Sequence, residues 1–152
     1  SFVLFRPVPQ PSSTTGPPLA PFEKVALRAS GVFQVGGQSC YYVEAAGFLE
    51  ATELGERVLM VRVEPLSLLG LLASREEEWG WWYLFFRPEE LKTLTFGRLY
   101  FGWRARPALC LSRRDQDRPL AYLSFDDPLT RDRVAADLRA VGAGNGQEVL
   151  PP

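Results

Sequence analysis

The 152-residue chain contains no histidine, only two cysteines and one methionine, and among its 17 basic residues only Lys24 and Lys92 are lysines. Without an imidazole it has no Ser-His-Asp or Cys-His relay, no histidine ligand for zinc, and not the side chain that most often moves protons near neutral pH. Cys40 and Cys110 lie too far apart for a zinc spacing and too few for a disulfide framework, so a reducing, cytoplasmic setting is expected. No run approaches the ~18 apolar residues that suggest a membrane span; Leu66–Ala73 and Trp79–Phe86 are both far shorter. The start at Ser1 has no basic region or small-residue cleavage site, so it does not read as a signal peptide, and without a Met it suits a processed chain or a domain cut from a longer one. Acidic residues number 18 against the 17 basic ones, a net charge of -1, which gives no overall field for a nucleic-acid backbone.

What the chain does have is strand-type residues between turn signals. Residues 1–21 form an arm rich in proline, serine and threonine, a composition that favours extended, solvated states; its apolar Phe2–Phe5 piece either adds an edge strand or frays. From Phe22 the pattern changes. Strand-like segments at 24–28 and 31–35, a Gly36–Gly37 turn, and further segments at 39–43, 47–52 and 57–63 make the first half mostly β. Leu66–Ala73 shows no clear period and reads either as a short helix or as an apolar loop. Arg87–Leu91 reads as a proline-initiated turn, and segments at 94–103, 108–112 and 120–125 form a meander. Asp127 and Pro128 suit the N-cap and first position of a helix whose Val134, Leu138 and Val141 make a core stripe, which Gly142 ends. The tail from 143 on reads as flexible. The expected domain therefore spans 22–142.

Strands ending in one amphipathic helix, with Ala121–Asp127 leading into Arg131–Leu138, resemble the end of pleckstrin-homology-like domains and their GRAM-like variants. That resemblance implies a mainly β (α+β) fold: a bent antiparallel β-barrel of about seven strands capped by one C-terminal helix. Phosphoinositide-binding members carry basic residues at the first hairpin. Here the corresponding turn, Val35–Gln38, has none, so the resemblance points toward peptide binding or a structural interface.

Two surfaces are candidates for such contacts. The stretch 44–78 holds three arginines against eight glutamates, whereas 87–118 holds eight basic residues against four acidic ones. Arg98, Arg104, Arg106, Arg113 and Arg114 are therefore the candidate partner- or anion-binding residues, ordinary solvated strand ends being the alternative. In Trp79–Phe86 both alternating faces are apolar. With one face in the core, the other, holding Trp82 and Phe86, is the candidate aromatic contact face, covered by a partner or by another part of the chain.

No catalytic residue, cofactor or metal site is expected, because the acids fall in runs that read as turns and a helix cap, and the glycines at 142–146 follow a helix instead of opening one. The expected function is a non-catalytic interaction or scaffolding module for a protein partner, a second copy of the chain included. Peripheral binding to an anionic membrane is the alternative, an enzyme working without histidine the third reading, and nucleic acid is not an expected partner.

Overall fold

In the computed structural model the described residues are 3–11, 16–35, 38–63 and 80–143. They form one antiparallel sheet of eight strands and one α-helix. The strands are β1 (Val3–Pro7), β2 (Lys24–Val35), β3 (Gln38–Ala51), β4 (Arg57–Val63), β5 (Gly80–Phe86), β6 (Leu91–Phe101), β7 (Arg104–Arg113) and β8 (Pro119–Ser124). The helix, α1, is Pro128–Ala140. The expected segments at 66–73 and 36–37 lie outside the described residues, although β2 and β3 pair as far as Val35 opposite Gln38.

The sheet order is β1-β6-β7-β8-β2-β3-β4-β5. Around β2 to β8 this is the sequence of a meander whose first and last strands also pair, Ala29 opposite Leu123. Closure needs one more pairing, between β5 and β6, and among the described residues it is not made. The chain turns out of β5 at Arg87–Pro88 into a single 3-10 turn (Pro88–Glu90), and the outer edge of β6 is taken by β1, with Phe5 opposite Leu99. The expected closed barrel is thus an open sheet, and the eighth strand comes from the N-terminal arm.

That arm is docked at β1, at Val8 and at Leu19. Val8 donates its N–H to the Phe96 carbonyl at 2.9 Å, and Leu19 is buried in the core. Gly97 makes room for β1, since a Cβ there would run into the Phe5 ring and the Arg6 carbonyl. The Phe5 ring lies over this small residue and reaches Tyr122, 5.5 Å between centroids.

The core lies between one face of the sheet and α1. Leu27, Ala29, Leu49, Leu59, Val61, Phe96, Leu109, Leu111 and Leu123 alternate along their strands and meet Val134, Ala135 and Leu138 of the helix. Capping fixes both ends of α1. Asp127 Oδ1 accepts from the Thr130 N–H at 2.8 Å and from its hydroxyl at 3.0 Å. At the other end Gly142, with a φ of 118°, donates to the Arg139 carbonyl, and Ala143 donates to Leu138 at 2.9 Å, the paired bonds of a Schellman stop.

The two Thr130 bonds favour the Asp127 carboxylate and hold its pKa below the ordinary value. The cap therefore stabilises the fold fully above the unfolded-state pKa, and its contribution is lost as pH falls through the folded-state value. Thermal melting between pH 5 and pH 2 is expected to show a smaller acid-induced drop in midpoint for Asp127→Ala than for the unaltered protein. An unchanged acid limb would remove Asp127 from the cap.

Candidate functional site

Two regions of the sheet present side chains that the fold does not use up: the β5 edge and the tip of the β6–β7 hairpin. On β5 the face assignment expected from the sequence is reversed. Phe86 is only 2 % exposed and belongs to the core, with Trp82 and Leu84 packed against it. Trp81, Tyr83 and Phe85 point the other way, at 48 %, 57 % and 56 % exposure. Alternation puts three residues on each side of the strand. The register then decides which side is inside: Leu59 and Val61, both core residues of β4, pair with Leu84 and Trp82.

The outward row continues across neighbouring strands. Met60 sits between Tyr83 on β5 and Phe48 on β3, and Phe48 stacks on Trp81 at 6.3 Å with the ring planes 18° apart. Val58 and Met60, though on this outer side, are shielded by the aromatic rings around them. The result is an apolar strip on a terminal strand that carries neither charge nor proline. By contrast β1, at the other end of the strand order, holds Arg6 and Pro7, two of the devices that protect an exposed edge.

The arginines expected to act as one patch do not lie together. Arg104 and Arg106 start β7 whereas Arg113 ends it and Arg114 follows, so the pairs are about 30 Å apart at ~3.3 Å per residue. Several are already engaged. Arg113 donates to Glu90 at 2.8 Å, a contact that keeps the Glu90 carboxyl below its usual pKa, and Arg114 donates to the Glu89 carbonyl at 3.2 Å. Arg106 donates to Ser124 at 3.1 Å and to Asp126 at 2.9 Å. Of the five, Arg98, Arg104 and Arg114 are exposed without an ion-pair partner among the described residues, and of these only Arg114 has a bond, to the Glu89 carbonyl.

A polar cluster that the sequence did not suggest sits beside Arg106. A bulge shifts the β2–β3 register between Ala29 and Gly31, and Glu44 takes a left-handed φ of 48° there, a conformation costly for a residue with a side chain. The Ser30 hydroxyl accepts from the Glu44 N–H at 2.8 Å and Arg28 donates to its carbonyl at 3.0 Å. These bonds aim the Glu44 carboxylate across β2 to the Ser124 hydroxyl, 2.8 Å away. Serine, carboxylate and guanidinium thus satisfy one another, an arrangement that holds four strands in register.

The second missed feature is a buried ion pair. Arg57 donates from Nε to Asp137 Oδ2 at 2.9 Å and from Nη2 to Oδ1 at 2.7 Å, while Nη1 donates to the carbonyls of Gly55 and Glu56. The Leu19 N–H also donates to Asp137. One carboxylate thereby joins α1, β4 and the N-terminal arm.

Among the described residues no three of Cys, Asp and Glu come together as metal ligands, and no helix is long and apolar enough to cross a membrane. Cys110 is buried, which pushes its thiol pKa up. No protein-family model, no curated protein and no solved structure matches the chain.

Proposed function

We propose that this domain is a non-catalytic interaction module whose contact surface is the outer face and edge of β5. The row Trp81, Tyr83 and Phe85, half exposed on an uncharged terminal strand, carries the reading. Half-exposed, these three aromatic side chains forgo about half of the ~1.5–3 kcal/mol that full burial of a large apolar side chain is worth, and a contiguous strip of them is typical of a binding surface. The partner is an extended protein segment that adds alongside β5, with apolar side chains at alternate positions meeting the three rings. A reducing compartment suits a chain whose Cys110 is buried and disfavours the thiolate.

The pleckstrin-homology-like resemblance remains part of this proposal. The seven strands β2 to β8 followed by α1 agree with it in number and order of elements, and the unmade β5–β6 pairing departs from it. The surface proposed here is in either case a property of β5 and its neighbours.

Photo-crosslinking tests it. A photoreactive phenylalanine in place of Tyr83 is expected to give one discrete adduct in cells, which a second change, Phe85→Lys, abolishes. The same group in place of the exposed Leu129 is expected to give none. Adducts formed equally from both positions, or from neither, would overturn the proposal.

A further inference from the structure

We infer that the tip of the β6–β7 hairpin docks on an anionic lipid bilayer and reads its charge density, with no pocket for one headgroup. This goes beyond the protein contact at β5 and does not depend on it. Trp103 is 91 % exposed, held at the turn by Gly102 with a φ of 64°. Phe101 beside it is also exposed, and so is Leu4, which β1 brings opposite Tyr100. Apolar side chains of this size at the end of a hairpin have no partner within the described domain.

Three arginines surround them. Arg104 pairs with Phe101 at the base of the turn, and Arg98 lies three residues back along β6, about 10 Å from Phe101. Arg6 is directly opposite Arg98 in the β1–β6 ladder. Like charges in that position repel, and neither has a carboxylate partner among the described residues. The nearby acids are occupied: Asp126 by Arg106, Asp132 by Arg131, and Asp127 by the helix cap. An unbalanced cationic collar around an aromatic tip is complementary to a negative surface with an apolar interior, where tryptophan is favoured at the boundary. Residues 101–104 are all exposed, so the tip offers no groove in which a peptide would be held.

The test is co-sedimentation of the full chain with vesicles. Binding is expected to vesicles containing phosphatidylserine, to be absent with phosphatidylcholine alone, and to be equal for phosphatidylserine and a phosphoinositide at matched total charge. Arg98→Gln with Arg104→Gln is expected to weaken partitioning about 25-fold, about fivefold per arginine. Lys92→Gln, the loss of one positive charge at the far end of β6, is expected to change it by less than about twofold, against about fivefold for either arginine alone. Trp103→Ala is expected to weaken binding by a factor that persists at high salt, whereas the arginine contribution vanishes as the Debye length falls from about 10 Å to 3 Å. Thermal midpoints of all variants are expected to match the unaltered protein, which separates lost binding from lost folding. No binding to phosphatidylserine vesicles, an effect of Lys92→Gln equal to that of the arginine pair, a preference for one headgroup at equal charge, or equal affinity for a soluble polyglutamate peptide would each overturn the inference.

Discussion

Asp137→Ala is expected to cost about 3–5 kcal/mol in urea unfolding, the scale of a buried ion pair broken on one side. The guanidinium of Arg57 would stay buried with two of its donors unmet, and the Leu19 N–H would lose its acceptor as well. Arg57→Ala leaves the opposite charge stranded and falls in the same range. The double change Arg57→Met with Asp137→Leu removes both charges and fills their volume, so it is expected to cost far less than the sum of the single variants. Additive costs in that cycle would mean that the two side chains do not interact, and a cost under about 1 kcal/mol for Asp137→Ala would place the pair at the surface.

This ion pair shows where the sequence stops informing. The helix itself was legible: Asp127, Pro128 and Gly142 mark its ends, and Val134 and Leu138 its buried side. Asp137 lies on that same side, three residues after Val134, and a charge on an apolar stripe is a signal that something opposite neutralises it. The identity of the partner was not legible, since Arg57 is 80 residues away and sits in a strand where an arginine reads as solvated.

The strands of the second half and the turn at Pro88–Glu90 were also readable, because alternation and proline act locally. The docking of the N-terminal arm depends on Gly97 and on the β6 edge, both distant in sequence from Phe5. The arginines were readable only as a cluster in sequence. Spreading them along β6, β7 and the residue after β7 separated them, and hydrogen bonds to Glu90, Ser124 and Asp126 then used up two of the five. The bulge at Glu44 left no mark that composition or periodicity could detect.

The face assignment of β5 fails for a different reason. When both alternating sets are aromatic, period-two patterning gives two solutions of equal merit, and only the cross-strand register with Leu59 and Val61 separates them. On this assignment rests the central claim, that Trp82 and Phe86 hold the fold while Trp81, Tyr83 and Phe85 are left for a partner.

Comparing Phe86→Ala with Phe85→Ala by chemical unfolding of the isolated chain tests that claim most directly. Two adjacent residues of one type differ only in the face they occupy, so backbone propensity and side-chain size cancel. Phe86 is fully enclosed, and removing its ring leaves a cavity among core residues, an expected loss of about 3–5 kcal/mol. Phe85 gives up only the partial cover it provides to Val58 opposite it, an expected loss under about 1 kcal/mol. A large loss for Phe86 with a small one for Phe85 is the predicted result; equal losses, or the reverse order, would contradict the account.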